Sequence, residues 1–178
     1  MEKSSTNKKP KLLFVVTEDW YFVSHRLQLA IAASEAGYEV AVATRVAKHA
    51  DVIKGAGIRL IPFELSRRVG NPMLEFLALV KLYRGEKPDI VHHVALKLVL
   101  FGALAARFTN IKAQVNAVTG LGWLFISRNP IVRFGRPLIT WFLARLLNSP
   151  NSRVIVQNPD DEELLEKAGV LQSRIRMV

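Results

Sequence analysis

"KLLFVVTEDWYFVSHRLQLAIAASEAGYEVAVAT" (residues 11–44) decides the fold. It opens with "KLLFVVT" (11–17), a near-continuous apolar run of the kind found in a strand buried on both faces. Residues 24–36, "SHRLQLAIAASEA", then carry helical periodicity, with Ser24 suited to an N-cap and Gly37 to a C-terminal stop. "YEVAVAT" (38–44) returns to strand composition.

The same alternation continues outward. A helix over 47–56 ends near Gly55 and Gly57, and "IRLIPF" (58–63) reads as a strand. "ELSRRVGNP" is a loop, and Pro72 opens a helix over 72–84. The strand "DIVHH" precedes a helix rich in small residues over 96–108. "KAQVNAVT" (112–119) is a strand and "GLGWLFISRNP" a loop. A helix over 131–147 has Pro137 as its candidate break. "SRVIVQN" (152–158) is a strand, 160–168 is a helix with acids at its N-terminus, and "RIRMV" starts a further strand. Strict β–α alternation with buried strands predicts an α/β fold, a doubly wound parallel sheet with helices on both faces. Ligands of such sheets bind at the carboxyl ends of the strands. On this reading all four histidines, His25, His49, His92 and His93, fall on that edge.

Composition bounds the chemistry. The 178 residues suffice for one domain with a real core, preceded by a polar, basic tail over 1–10. There is no cysteine, which removes disulfides and thiolate chemistry and suits a reducing compartment. "LLFVV" is too short for a signal-peptide core. The longest apolar stretches are interrupted by Lys97 and Arg145, so no membrane span and a cytoplasmic location are expected. The net charge of +10 is unevenly spread: Ile90 to Pro159 holds no Asp or Glu but eight bases. These are Lys97, Arg107, Lys112, Arg128, Arg133, Arg136, Arg145 and Arg153, a field that attracts phosphates.

Several chemistries are excluded. There is no G-x-G-x-x-G, no P-loop, no G-x-S-x-G elbow and no zinc ligand set. Glu18-Asp19 evokes a phospho-receiver pocket. That pocket needs an Asp ending the central strand and a Lys ending the fifth, where Phe63-Glu64 and Thr119-Gly120 stand. A nucleic-acid binder lacks a helix-turn-helix or an aromatic sheet platform here.

Residues 11–46 together with "KPDIVHHVALK", "VNAVTGLGWLF" and "SRVIVQNPDDEELLEKAG" resemble the N-terminal domain of family 4 glycosyltransferases, of the bacterial polysaccharide and lipid-linked-oligosaccharide type. The resemblance covers residues 11–178. It implies one half of a GT-B enzyme: a Rossmann-like acceptor-binding domain, with the C-terminal donor-binding domain absent from this chain and supplied as a further domain or partner chain. The implied activity is retaining, metal-independent transfer of a sugar from a nucleotide sugar, UDP-linked, to a lipid-linked glycan or polysaccharide acceptor. No cofactor and no metal site are implied, and the fragment alone is expected to be inactive. The implied location is peripheral, at the inner face of the plasma membrane. The other reading is a non-catalytic split or truncated subunit that binds membrane or a donor-binding chain.

The resemblance also places the site. A histidine after the "PDIVH" strand lines the cleft beside the transferred sugar. Many relatives read H-x-H; His92 fits the first position of that motif, and Val94 stands at the second. Strand side chains alternate, so one of His92 and His93 faces the cleft, and His93 is favoured because it sits further into the loop. "TEDWYFVSHR" occupies the place of the family's glycine-rich acceptor loop but has no glycine, so His25 and Arg26 at the helix N-terminus become the anion candidates. Asp19, Trp20, Arg67, Arg68, Lys97, Thr119 and Gly120 complete the expected substrate contacts. Arg128, Arg133, Arg136 and Trp141 are read as facing an anionic membrane, since bases beside aromatics mark an interfacial helix. That helix is expected to be partly buried with an Arg-rich outer edge.

Overall fold

The computed structural model describes residues 8–65, 71–119, 121 and 130–178, with the backbone alone for 131 and 132. Seven strands form one sheet: β1 (Lys11–Glu18), β2 (Glu39–Arg45), β3 (Arg59–Pro62), β4 (Ile90–Val94), β5 (Ala113–Ala117), β6 (Ser152–Val156) and β7 (Ile175–Met177). Every pairing is parallel and the order is β3-β2-β1-β4-β5-β6-β7. The helices are α1 (Asp19–His25), α2 (Leu27–Glu35), α3 (Ala50–Gly55), α4 (Pro72–Glu86), α5 (Leu96–Phe108), α6 (Pro130–Leu147) and α7 (Pro159–Lys167).

Alternation along the central strands sends side chains to two cores. Leu13, Val15, Ala41, Ala43 and Val91 pack with Leu79 and Tyr83 of α4 and with Leu98 and Ala105 of α5. Phe14, Val16, Val40, Val42 and Val94 pack on the other face with Phe22, Leu27, Ala30 and Ile53 from α1, α2 and α3. A third cluster joins Val99 of α5, Leu143 and Leu147 of α6, Val154 and Val156 of β6 and Leu165 of α7. The doubly wound parallel sheet expected from the sequence is therefore present.

Three local expectations change. "TEDWYFVSHR" is not a loop: helix begins at Asp19 and breaks at Arg26, where φ is −131° and ψ −13°. Ser24 accordingly caps nothing, and its hydroxyl donates back to the Trp20 carbonyl at 2.8 Å. Helix α6 runs through Pro137. Helix α4 starts as read, with the Asn71 side chain accepting from Met73 N at 3.0 Å and Pro72 in the first turn. Most of the basic tail lies outside the described residues, while Lys8, Lys9 and Pro10 are exposed.

Candidate functional site

The carboxyl edge is built around the end of β1. Asp19 is fully buried in the first turn of α1. One carboxylate oxygen accepts from Ala47 N at 2.7 Å and His49 N at 3.0 Å, the other from Trp20 N at 2.7 Å. Burial alone would raise its pKa. The N–H groups of His49, Ala47 and Trp20 and the nearby His49 ring outweigh that and hold the carboxyl below its ordinary value. Asp19 thus fastens the β2–α3 loop to the end of β1. Beside it, Glu18 binds Arg45 at 2.6 Å.

Trp20 is 50% exposed and meets Tyr21 edge to face, while Tyr21 stacks on His25 at 4.3 Å. His25 also shares a 2.7 Å hydrogen bond with Ser24 Oγ. Arg26, at the α1–α2 break, is buried; one terminal N–H donates to the His25 carbonyl at 2.9 Å, and its Nε has no partner.

The two adjacent histidines go to opposite sides of the sheet. His92 lies under α1 and α2, 3% exposed, stacked on Phe14 at 4.9 Å, and its Nε2 has no hydrogen-bond partner. Phe14 in turn packs on Phe22, whose carbonyl accepts from Arg26 N. Burial first, then the Arg26 charge and His93, push the His92 imidazole down to about 3. It is neutral at ordinary pH, so it can donate or accept a hydrogen bond but does not supply an imidazolium.

His93, the residue favoured above for the cleft, is instead enclosed on the α4–α5 side. Tyr83 OH lies 2.7 Å from Nε2, and Asn116 Oδ1 lies 2.7 Å from Nδ1. Asn116 Nδ2 donates on to Ser152 Oγ at 3.0 Å. One neutral tautomer satisfies the whole chain, with Tyr83 donating to Nε2 and Nδ1–H donating to Asn116. Burial, partly offset by the Asn116 bond, pushes His93 down to about 4. Gly102 of α5 closes over the ring so tightly that a Cβ there would overlap it. His93 is therefore a core residue with both nitrogens occupied. The four histidines do not share one edge, because β4 buries this pair inside the sheet.

The β4–α5 turn carries an unusual backbone. Ala95 has φ 79° and ψ 147°, a region that favours glycine, and its N–H donates to the Ala117 carbonyl at 3.1 Å. One residue into α5, Lys97 pairs with the buried Glu75 of α4 at 2.5 Å. Thr119 is half-buried two residues beyond β5. Arg67, Arg68, Gly120 and Arg128 lie outside the described residues. Sequence reading missed Tyr83, Asn116, Ser152 and Glu75. Each acts only as a tertiary partner, and no local motif marks it.

Among the described residues of α6, the last turns enter the core, through Leu143, Ala144 and Leu147. Phe134 is 86% exposed, Leu138 69% and Trp141 61%, with Arg133 exposed and Arg136 half-exposed among them. The helix is partly buried with arginines on its outer face, as expected, and that face is apolar as well as basic. Among the described residues, no helix is long and apolar enough to cross a membrane, and no three His, Asp or Glu groups gather as a metal would need.

The glycosyl transferase 4-like family profile matches residues 11–158. The chain belongs to that family. Among solved structures, it superposes on HepE of Anabaena, solved with UDP and glucose, with a TM-score of 0.65 at 14% identity, over 95% of this chain and 44% of that one. A glycosyltransferase of Rickettsia africae gives 0.63 at 16% identity, over 96% and 43%. A UDP-N-acetylglucosamine 2-epimerase gives 0.63 at 18%, over 96% and 48%, so the fold alone is shared at this distance. This family member spans less than half the length of those proteins. No curated protein matches it. With the family and the sheet together, the chain is a Rossmann-like half of the GT-B architecture.

Proposed function

We propose that this domain is the acceptor-binding half of a retaining, metal-independent glycosyltransferase, with a UDP-linked sugar as donor and a lipid-linked glycan or polysaccharide as acceptor. Family membership supports the reaction class, and HepE solved with UDP-glucose supports the donor. The observation that carries the site is the pair of buried, unpartnered nitrogens, His92 Nε2 and Arg26 Nε, under the α1–α2 break. A buried polar atom without a partner costs about 1–3 kcal/mol, which a substrate hydroxyl or phosphate oxygen offsets on binding. In this reading the neutral His92 ring hydrogen-bonds the transferred sugar and Arg26 holds an anionic group of the acceptor. Asp19 positions both indirectly by fixing the surrounding loops.

The test is acceptor-dependent release of UDP from a panel of uridine nucleotide sugars, with a polyprenyl-pyrophosphate-linked sugar as acceptor, by this domain joined with a donor-binding half. His92→Ala is expected to lower kcat at least 100-fold with the fold intact, and His92→Gln to restore part of it. Full activity in His92→Ala would end the proposal. His93→Ala is expected to act through stability.

A second reading, a membrane-docking module at the inner face of the plasma membrane, is favoured by the exposed Phe134, Leu138 and Trp141 beside Arg133. The two readings are compatible, since a lipid-linked acceptor has to be met at a membrane surface.

A further inference from the structure

Helices α5 and α6 share a buried seam, Val99 against Leu143 and Leu147, and form an open groove on their outer side. Its walls are Leu100, Phe101 and Leu104 from α5 and Leu138, Trp141 and Phe142 from α6, with no polar lining. Water in such a groove finds no hydrogen bond from its walls, whereas a hydrocarbon removes apolar surface from water on both sides. Exposed apolar patches of this kind mark binding surfaces.

The charge around the groove selects the occupant. Neither α5 nor α6 contains an acid, and the whole stretch Ile90–Pro159 has none. Arg107 at the end of α5 and Arg133 and Arg145 on α6 are exposed. A protein partner helix or a second copy would need carboxylates or a neutral face to meet that field, and this chain is itself +10. A phosphate-headed lipid offers an apolar chain and an anion in one molecule. The groove begins at Leu100, about 6 Å along the helix from the first residue of α5.

We propose that the α5–α6 groove is a slot for one hydrocarbon chain of a phosphate-headed membrane lipid, held by its walls, with the exposed Arg145, one turn beyond Trp141 on α6, placed to meet the head group. The slot extends the membrane-docking reading from a flat contact to a defined site. It does not depend on glycosyl transfer at the proposed His92 site.

Calorimetric titration of the chain with farnesyl phosphate and with dodecyl phosphate, each below its micelle concentration, tests this. Saturable one-to-one binding is expected, and the tighter probe tells whether a prenyl or a straight chain is preferred. Inorganic phosphate at the same concentration is expected to give no heat and no competition. Leu104→Trp fills the slot while keeping the surface apolar. It should weaken chain binding at least tenfold and leave co-sedimentation with anionic vesicles unchanged. Should Leu104→Trp fail to fold, Leu138→Glu at an exposed position is expected to give the same tenfold loss. Native-like binding by the folded variants, or competition by inorganic phosphate alone, would overturn the slot even if vesicle binding persisted. So would a dimer in sedimentation equilibrium that Leu138→Glu dissociates and farnesyl phosphate does not, since a second copy would then occupy the groove.

Discussion

At Gly102 and at Ala95 the presence or absence of one methyl group has a cost that can be read from the structure. A methyl at Gly102 would meet the His93 ring, which Tyr83, Asn116 and the sheet hold fast. Gly102→Ala should therefore destabilise by about 1–3 kcal/mol, the usual size of overpacking in a rigid core, read as a lower urea midpoint with an unchanged slope. Ala95 presents the opposite case, since its φ of 79° keeps an L side chain in a region only glycine visits freely. Ala95→Gly is expected to stabilise by about 1 kcal/mol, measured in the same way. The sequence shows the parity of His92 and His93, because strand side chains alternate. It does not show which parity finds partners, because Tyr83 lies ten residues upstream and Asn116 twenty-three downstream.

At the scale of elements, most helices and strands were legible because both ends carry chemistry that can be read locally. Asn71-Pro72 starts α4 and Asn158-Pro159 starts α7, each with an Asn side chain accepting a backbone N–H. Helix α1 was not legible. Its sequence, DWYFVSH, lacks strong helix formers, and its start is fixed by Asp19 bonding to a loop nearly thirty residues away. Helix α6 was legible as a helix and as a basic, aromatic surface; among its described residues Leu143, Ala144, Leu146 and Leu147 are buried, while Phe134 and Leu138 join Trp141 in an apolar outer face broader than the sequence reading assigned. Its role can be measured directly. The domain should co-sediment with anionic vesicles at low salt and release as salt rises, since each base near the surface contributes about 1 kcal/mol and is screened over about 10 Å at 0.1 M. Charge reversal at Arg133 and Arg145 together should abolish sedimentation, and retention by that double variant would rule out α6 as the docking element.

For the whole molecule, the paired histidines set how stability depends on pH. Both are neutral in the fold, with His93 pushed to about 4 and His92 to about 3, against 6.5 when unfolded. Between these limits the unfolded chain takes up protons that the folded chain refuses. Stability present above pH 6.5 is therefore lost on acidification, by up to about 1.4 kcal/mol per pH unit for each ring. Asp19 has a lowered pKa, so its contribution is lost only below the ordinary carboxylate value of 3.8. Urea unfolding between pH 7 and pH 4.5 should show the decline, and His93→Gln should make it shallower. An unchanged slope would mean that His93 is not held neutral by the core. The parallel sheet itself was foreseeable, since strands buried on both faces read as plain apolar runs.

That same plainness leaves a problem of alignment. A strand that is greasy on both faces loses little apolar burial when it slides by one residue along its neighbour, so hydrophobic pattern alone is a poor guide to register. Here β4 and β5 bring His93 opposite Asn116, and Asn116 reaches Ser152 at the head of β6. A one-residue slip would strand three buried polar side chains at about 1–3 kcal/mol each. The Tyr83–His93–Asn116–Ser152 relay works like the teeth of a zip: it admits one alignment of three strands and makes the neighbouring ones expensive, which an all-apolar core of equal stability would not do.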